Sequence, residues 1–475
     1  MSILALAPLL SVVAGALVAL LLEAFLKSKG HRASAVAAVV SLLVAAFFVV
    51  RAWPLRPSYF GGRLVLDPLA LLLTGIFILV AVLALLTSLA YAPRRDINLG
   101  QLAGLLLLAV SGLLIMVSSK DWLVVFLGLE VLSVASYALA GLRRGDPASS
   151  EAAAKYFLMG SFAGAFFVFG LALVFGTTGD IGFSAGLAGG GPADGPPAAA
   201  LAGLGLILAA LLFKIAIAPF HMWAPDVYEG APTPVTTFLT IAPKAAGLAV
   251  IFRVLAPLPV PGVAAPVLVP ALSVAAVLTM FAGNLAALRQ KSVKRLLAYS
   301  AIAHSGYLLV AVVSGDGPGL VFYLIAYTFM NAGAFGVLAA LSGRGEEHTS
   351  LSDLSGLGRR HPWLAAGLAV FLLSLAGIPP TAGFLAKFYI FSAAVAKGHV
   401  VLAVAAVLAS LVSVAYYFKV IAAMYMRDPE TEPVLEQENP ALYLVVFLCL
   451  FGVVQLGLWP GNLLVLIRQA LAGPF

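Results

Sequence analysis

The chain has 475 residues, of which 62% are hydrophobic and 10% are charged, and its mean hydropathy is +1.08. Soluble domains are closer to half apolar and a quarter charged, so this composition predicts an integral membrane protein. The net charge is +7, but the basic residues cluster between apolar runs, which favours membrane orientation over nucleic-acid binding. The single cysteine, Cys449, excludes an internal disulfide and an iron–sulfur ligand set supplied by this chain alone. The sequence has no phosphate loop, no dinucleotide fingerprint and no paired His/Cys metal spacing, so we expect neither a metal nor a cofactor on this chain.

Apolar runs predict the transmembrane helices. A hydrocarbon core of about 30 Å requires roughly 20 apolar residues in each helix, which predicts an all-α integral membrane protein with about fourteen spans. The first run lacks a basic start and is too long for a signal core, so we interpret it as a span. The predicted spans are 3–26, 33–53, 65–91, 99–118, 121–142, 150–176, 198–223, 234–257, 265–290, 293–313, 318–343, 362–395, 399–426 and 440–458.

The basic residues predict the orientation. Fifteen of the 27 Lys and Arg residues follow odd-numbered spans, and seven lie in the opposite loops. Because cytoplasmic loops carry the excess of Lys and Arg, this bias predicts both termini on the outer face and the loops at 143–150 and 344–361 on the inner face. The Gly- and Pro-rich segment 181–199 is then expected to be a flexible outer loop. The remaining five basic residues lie within spans: Lys155, Lys214, Lys244, Lys387 and Lys419.

Two spans carry proline where a helix would otherwise continue. Pro219 interrupts the seventh span, and Pro379 and Pro380 interrupt the twelfth, which is too long for one straight crossing. Proline removes a helix donor and clashes with the preceding turn, so both helices are expected to be broken. Membrane proteins tolerate such breaks where the freed backbone groups line a protein-enclosed cavity.

Short sequence matches indicate an internal repeat. LLFKIAIAP at 211–219 aligns with LLSLAGIPP at 372–380, and AGAF at 163–166 recurs at 332–335. The offset of roughly 160–170 residues corresponds to five spans, and an odd number of spans inverts the second copy, as in many transporters. The predicted divisions are 1–98 for three N-terminal helices, 99–257 for the first five-helix repeat, 258–426 for the second, inverted repeat and 427–475 for the last helix.

A carboxylate and a lysine are predicted to act as a pair. Glu130 lies midway along the fifth span, with Ser133 and Tyr137 on the same helical face. Charged groups are costly in hydrocarbon and are usually functional there, and Lys214 is the natural partner for this carboxylate. A change in the distance between the two charges would change how tightly each holds a proton. The alternative is a static ion pair that fixes helix packing.

Four other lysines lie within spans at different depths. Lys244 is near the middle of the eighth span, where an amine cannot easily reach the headgroups. Lys387 lies beyond the proline break, in the outer half of its helix, which suits an exit gate. Lys155 lies near the inner end of the sixth span, where snorkelling and a functional role fit equally, and for Lys419 snorkelling is favoured.

Histidine and tyrosine residues are candidate relays. His304 shares a helical face with Tyr307, and histidine can exchange protons at physiological pH. His304 and His221 are expected either to relay or gate protons or to pack between helices. Packing is favoured for a second stripe, which comprises Tyr323, Tyr327 and Asn331. The candidate relay or gating residues are His221, His304, Lys155, Tyr299 and Tyr307.

Several motifs carry a resemblance to a known family. They are GLE at 128–130, KYFLMGS at 155–161, FKIAIAPFHMWAPDVYEGAPTPVT at 213–236, PKAAG at 243–247, LLAYSAIAHSGY at 296–307 and GIPPTAGFLAKFY at 377–389. With these motifs the chain resembles the antiporter-like membrane subunits of complex I, and most closely the subunit N group. The VYEGAPTPVT stretch is the most specific of them. The resemblance implies fourteen helices in two inverted five-helix bundles, with broken seventh and twelfth helices.

The same resemblance implies a proton path through Glu130, Lys214, Lys244 and Lys387. It implies a proton-translocating subunit of an NADH:quinone oxidoreductase in the bacterial inner membrane, with other membrane-arm subunits as partners. NADH, FMN, iron–sulfur clusters and quinone would then be bound by partner subunits, and this chain would carry no redox centre.

The sequence leaves other functions open. One is a subunit of a multisubunit cation/proton antiporter, another is a subunit of a related ferredoxin- or hydrogenase-linked complex, and a third is a structural spacer in a membrane arm. The VYEGAPTPVT stretch favours complex I over the antiporter, and four buried ionisable groups in series argue against a spacer. No long lateral helix is expected after residue 458, which argues against the L subunit.

Overall fold

The computed structural model shows a bundle of membrane-spanning helices. It describes residues 3–26, 30–54, 58–59, 62–183, 198–255, 265–343, 347–428 and 439–472. The predicted outer loop at 181–199 therefore lies mainly outside the described residues, and so does the start of the predicted inner loop at 344–361.

Helices dominate the described part of the chain. In chain order the elements are α1 (Ile3–Leu26), α2 (Gly30–Ala52), β1 (Ser58–Tyr59), β2 (Leu64–Val65), α3 (Pro68–Arg94), α4 (Leu99–Ser118), α5 (Trp122–Ala140), α6 (Pro147–Thr178), α7 (Ala198–Lys214), α8 (Ala224–Gly230), α9 (Thr233–Leu255), α10 (Ala265–Leu288), α11 (Val293–Val313), α12 (Gly317–Leu341), α13 (Leu357–Arg360), α14 (Pro362–Ala376), α15 (Ala382–Ala396), α16 (Val400–Met426), α17 (Pro440–Leu458) and α18 (Gly461–Ala470).

These helices account for the predicted number of spans. Within the described ranges, 12 helices are long and apolar enough to cross a membrane by themselves. The seventh and twelfth crossings are each built from two shorter helices, α7 with α8 and α14 with α15. Since each pair replaces one continuous helix, the prediction of about fourteen spans is confirmed.

Both predicted helix breaks are present. α7 ends at Lys214, and the chain then runs without regular helix as far as Trp223 before α8 begins. α14 ends at Ala376, where Gly377 adopts the left-handed conformation (φ 86°) that glycine accepts without steric cost. At the second break the carbonyl oxygens of Leu375 and Ala376, in the last turn of α14, lose the N–H partners that a continuing helix would provide. These groups become available to side chains inside the bundle.

Helices α9, α11 and α12 form the centre of the molecule. Nearly all their side chains are buried, including polar and ionisable ones such as Thr240, Lys244, His304 and Asn331. By contrast, α1, α2, α6 and α16 expose large apolar side chains, as expected of helices that contact lipid. The ionisable groups at the middle of the bundle are therefore surrounded by protein, where membrane proteins place functional charges.

The order of elements repeats in two halves. α4 packs against α5 in the first half, as α10 packs against α11 in the second. In each half a broken helix follows three continuous ones, and a further long helix ends the half. Because each half has five crossings, the second half enters the membrane from the opposite side, which agrees with two inverted five-helix repeats. The division boundaries at 257 and 426 stay a prediction.

Two small features were not predicted. β1 and β2 form a two-residue antiparallel hairpin around Gly62, which has a φ of 87°. After the last span, the ten-residue helix α18 buries Leu464 and Ile467 at a helical spacing of three. Both features are much shorter than the roughly 20 residues that identify a span, so counting apolar runs cannot find them.

Candidate functional site: a buried series of ionisable side chains

The first centre surrounds Lys214 at the end of α7. This side chain is 2% exposed, and its Nζ donates hydrogen bonds to Ser133 Oγ at 2.9 Å and to Tyr156 OH at 3.1 Å. The ring centroid of Tyr137 lies 5.7 Å from the same nitrogen. A buried amine is costly unless it is hydrogen-bonded, and two hydroxyl acceptors and an aromatic face offset part of that cost. The centre therefore joins α5, α6 and α7.

Glu130 lies close to this centre but does not contact the amine. The structure describes both side chains, and no hydrogen bond or ion pair joins Glu130 to Lys214; the two interact only electrostatically through space. Ser133, one turn further along α5, accepts the hydrogen bond instead. The two side chains therefore do not form the static ion pair that the sequence left open as an alternative, and their action as a proton-exchanging pair stays a prediction. Because Glu130 lies one helical turn from Ser133, which holds the amine, a small movement can bring its carboxylate nearer to Lys214 or take it further away.

Aromatic residues connect Lys214 to the next lysine. The Tyr156 ring stacks on Trp223, with a centroid distance of 4.4 Å and an interplanar angle of 6°. Trp223 Nε1 donates to the carbonyl oxygen of Phe213 at 2.9 Å, one of the carbonyls near the end of α7. Trp223 also contacts Tyr228 edge-on, with centroids 5.5 Å apart. The broken seventh helix thus places α8 between the first lysine and the second.

Lys244 occupies the second position, in the middle of α9. It is 1% exposed, and its Nζ donates a hydrogen bond to the carbonyl oxygen of Ala301 on α11. The same nitrogen lies 5.8 Å from the ring centroid of Tyr228 on α8. Because the amine is enclosed by α8, α9 and α11, its side chain does not reach toward a headgroup region, and the snorkelling alternative does not describe this geometry.

His304 lies one turn along α11 from the carbonyl that Lys244 contacts. Its Nδ1 is hydrogen-bonded to Tyr323 OH at 2.8 Å, and its Nε2 lies 3.5 Å from Tyr417 OH. Tyr417 in turn shares a hydrogen bond of 2.5 Å with Ser300. The His304 ring also stacks on Tyr327 at 5.0 Å. Both ring nitrogens therefore face hydroxyl groups, so the side chain can accept a proton on one side and donate one on the other.

Lys387 forms the third position, at the break in the twelfth helix. Its Nζ donates to the carbonyl oxygens of Leu375 at 2.9 Å and Ala376 at 3.1 Å, and to Ser410 Oγ at 2.8 Å. It also lies 4.9 Å from the ring centroid of Tyr307. The two carbonyls end α14, and a helix C-terminus carries the partial negative charge that favours a cation.

Other predicted residues lie outside this series. Lys155 forms ion pairs with Glu151 at 2.6 Å and Asp226 at 2.7 Å at an exposed end of α6. His221 lies in the break after α7, and its Nδ1 is buried without a hydrogen-bond partner among the described residues. Tyr299 is only half-buried and takes no part in the hydrogen bonds around His304.

Comparison with known proteins identifies the family. A family model described as NADH:quinone oxidoreductase/Mrp antiporter, TM, matches residues 119–413. NADH-quinone oxidoreductase subunit N of Trichlorobacter lovleyi is 44% identical over 424 residues, which cover 87% of this chain and 85% of the relative. The chain belongs to the NADH:quinone oxidoreductase/Mrp antiporter family. NADH-quinone oxidoreductase subunit N of Chloroflexus aggregans is 41% identical over 480 residues, covering 98% of this chain and 96% of the relative. The resemblance drawn from the sequence motifs is confirmed.

Solved structures of antiporter-like subunits share the fold. A chain of respiratory complex I from Thermus thermophilus matches with a TM-score of 0.82 at 35% identity, covering 96% of this chain and 98% of that one. A chain of the Mrp complex from Dietzia matches with a TM-score of 0.83 at 22% identity, covering 99% and 97%, which shows a common fold alone. The prediction of an antiporter-like fold is confirmed.

Several residues of the buried series in this antiporter-like chain were not predicted from the sequence. Tyr156 lies next to Lys155 in the KYFLMGS motif, of which only the lysine was a candidate. Tyr417 and Ser410 lie on α16, where Lys419 was the one residue discussed. Hydroxyl side chains within spans usually bond to other helices, so their sequence signal does not separate a relay from ordinary packing. Their contacts are visible only in the folded bundle.

A buried ionic cluster lies where α3 ends and where α9 and α11 begin, and it was not predicted from the sequence. Glu347, in the segment before α13, accepts hydrogen bonds from Lys294 at 2.7 Å, from Thr233 at 2.9 Å and from Tyr91. Lys294 is 1% exposed and also donates to the carbonyl oxygen of Ala231. Lys294 is one of the fifteen basic residues counted after odd-numbered spans, at the start of the predicted span 293–313, so its position alone predicted membrane orientation rather than a buried partner. Its cluster ties α3, α9 and α11 together.

Proposed function

We propose that this chain is subunit N of a bacterial NADH:quinone oxidoreductase and that it moves protons across the inner membrane. The observation that carries the proposal is the series of three buried amines, Lys214, Lys244 and Lys387, each of which donates hydrogen bonds to hydroxyl or carbonyl oxygens inside the bundle. Isolated amines in hydrocarbon would be strongly destabilising, so a series of them needs a functional reason.

The first half of the path is proposed to work through changes in the distance between the Glu130 carboxylate and the Lys214 amine. Glu130 stands one helical turn from Ser133, the residue that holds the Lys214 amine. When the carboxylate approaches the amine, it favours the protonated ammonium; when it moves away, the buried ammonium is less stable and releases its proton. The hydroxyl groups of Ser133 and Tyr156 are positioned to receive and pass on that proton.

The second half is proposed to run from Lys244 to Lys387 past the imidazole of His304. His304 has a hydroxyl group at each ring nitrogen, and it lies between the α9 lysine and the α15 lysine along α11. Two positive charges on neighbouring members of the series repel each other, so a proton that arrives at Lys244 favours proton loss further along. Lys387 then ends the path, where the carbonyls of α14 hold its ammonium.

The partners and cofactors follow from this assignment. NADH, FMN, iron–sulfur clusters and quinone are proposed to be bound by other subunits, and quinone reduction there is proposed to drive the charge movements in this chain. The bias of basic residues toward loops after odd-numbered spans supports an orientation with both termini on the outer face. The competing function, a cation/proton antiporter without a redox partner, would place the same fold in a complex that oxidises no NADH.

Purification and transport measurements test these points separately. A tagged chain is expected to co-purify with subunits that oxidise NADH, and recovery of the intact chain in a complex without that activity would favour the antiporter. In inverted membrane vesicles, Lys244→Ala is expected to lower NADH-driven proton uptake strongly at normal complex abundance. Lys419→Gln is the matched control, because Lys419 is a half-buried lysine about two turns before the end of α16, and it donates to the carbonyl oxygen of Gln290 at 3.0 Å. Equal uptake in both variants would remove Lys244 from the path.

A further inference from the structure

A groove opens between α2, α3 and α4, away from the lysine series. Its volume is about 890 Å³, and most of its lining side chains are apolar, for example Val39 and Leu89. On α2 the lining extends from His31 to Val40, which is about 14 Å of helix at 1.5 Å per residue. α2 and α3 are both membrane-spanning helices, so the apolar part of the groove lies where alkyl chains are the surrounding solvent.

Two opposite charges stand at one end of this groove. Arg32 lies in the first turn of α2, and Asp96 lies in the turn between α3 and α4; both line the groove and both are exposed. Among the described residues, neither side chain forms an ion pair or a hydrogen bond, either with the other or with a third group. The neighbouring His31 is already engaged, because its Nδ1 lies 2.9 Å from Glu23. The groove therefore ends in one free cation and one free anion within the described part of the chain.

We propose that this groove is a binding site for a zwitterionic glycerophospholipid of the phosphatidylethanolamine class. The guanidinium of Arg32 can bind the phosphate through two parallel hydrogen bonds, and the first turn of α2 adds the positive end of a helix dipole. The carboxylate of Asp96 can bind the ammonium group, and the apolar walls accept an acyl chain. An anionic lipid would bring a phosphate near Asp96 with no ammonium to compensate, so the charge pattern favours the zwitterion.

Photoaffinity labelling of the full chain in its native complex tests the site. The complex is placed in vesicles of phosphatidylglycerol that contain a trace of phosphatidylethanolamine with a photoactivatable acyl chain, and the labelled peptides are mapped by mass spectrometry. We expect labelling of the α2 and α3 segments beside Val39 and Leu89. Arg32→Gln and Asp96→Asn should each lower this labelling about tenfold, as expected for the loss of one charge-assisted contact. Arg51→Gln is the control, because Arg51 is an exposed basic residue at the opposite end of the same helix.

Each outcome decides the proposal. Equal labelling by a photoactivatable phosphatidylglycerol would overturn the assignment of a zwitterion, and unchanged labelling in both charge variants would overturn the site. Labelling of a neighbouring subunit alone, with none on the α2 and α3 segments of this chain, would show that lipid does not enter the groove and would also overturn the proposal. Val39→Trp gives an independent check, because it fills the apolar groove without changing a charge and should lower labelling while the complex remains assembled.

Discussion

The Nζ atom of Lys387 lies 2.9 Å from the carbonyl oxygen of Leu375, across the break in the twelfth helix. Lys387 lies on α15, yet its side chain extends back to the end of α14 and is only 5% exposed. An amine that snorkelled toward the outer surface would instead be exposed, because lysine reaches the headgroups by extending its charged end into water. The break therefore provides a helix C-terminus that holds a cation inside the bundle.

We expect Lys387→Met to stop proton release while leaving the complex assembled. Methionine keeps most of the length and apolar character of the lysine stem, so packing is preserved, but the series then lacks its last proton acceptor. Complex abundance, quinone reductase rate and proton uptake in inverted vesicles give the readout. Lys397→Met is the matched control, because Lys397 is exposed at the C-terminal end of the same helix. Normal uptake per assembled complex in Lys387→Met would show that the residue only anchors the helix.

Substitutions of Lys214 and Glu130 should show whether the first centre needs only a positive charge or an amine that exchanges its proton. Lys214→Ala is expected to reduce pumping strongly, and Lys214→Arg should do the same because arginine stays protonated and cannot cycle. Glu130→Gln should also reduce pumping, although the wild-type carboxylate does not contact the amine. The substitution removes the negative charge whose distance from Lys214 is proposed to change. Lys155→Gln is the comparison, since Lys155 belongs to an exposed ion-pair network. Arginine supporting normal proton uptake would exclude a cycling amine at this position.

Cysteine labelling tests the predicted orientation. In a Cys449→Ser background, a cysteine at Arg144, in the turn between α5 and α6, should react with an impermeant thiol reagent only in inverted vesicles. A cysteine at Asp180, in the exposed segment after α6, should react only in intact cells, since α6 separates the two positions by one crossing. The opposite pattern at both sites would reverse the orientation, and reaction of both from one side would contradict a spanning α6.

Apolar runs and prolines were sufficient to predict most of the fold. Spans near 20 residues need only hydropathy, and a proline inside such a run removes a donor whatever the neighbouring helices are. The sequence also identified the buried amines, because a lysine in an apolar run is rare for energetic reasons. These features depend on local chemistry alone, and so they can be read before the helices are assembled.

The contacts of these amines could not be predicted in the same way. Charge alone predicts Glu130 as the partner of Lys214, whereas the folded bundle gives Lys214 the hydroxyl groups of Ser133 and Tyr156 as hydrogen-bond partners. Which partner Lys214 contacts depends on the rotation of the helices and on the residue at which α7 ends. The spacing of apolar residues does not determine either one, because these helices are apolar on most sides. For the same reason the cluster around Glu347 was missed, since its members come from segments far apart in the chain.

The cluster around Glu347 predicts a pH-dependent contribution to stability. Burial alone would raise the pKa of this carboxyl, but the Lys294 ammonium and the hydrogen bonds from Lys294 and Tyr91 bring the pKa below its usual value. A carboxyl whose pKa is lower in the folded state stabilises the protein above its unfolded pKa, about 4.3 for glutamate, and loses this effect as the pH falls through the folded value. The pair should therefore stabilise the protein fully at pH 7 and progressively less in acid.

Glu347→Gln should destabilise the protein at neutral pH and make little difference in acid. The amide leaves the Lys294 ammonium buried without its counter-charge, and removing one partner of a buried pair costs about 3–5 kcal/mol. Thermal unfolding of the detergent-solubilised protein at pH 7 and near pH 4 gives the comparison, with Glu151→Gln as control. Glu151 pairs with Lys155 at an exposed end of α6, so its loss should cost no more than about 1 kcal/mol at either pH. Since acid protonates Glu347 in the wild type and so removes the same charge, the stability gap between wild type and Glu347→Gln must narrow as the pH falls; a gap that stays constant would mean that the carboxylate charge does not stabilise this cluster.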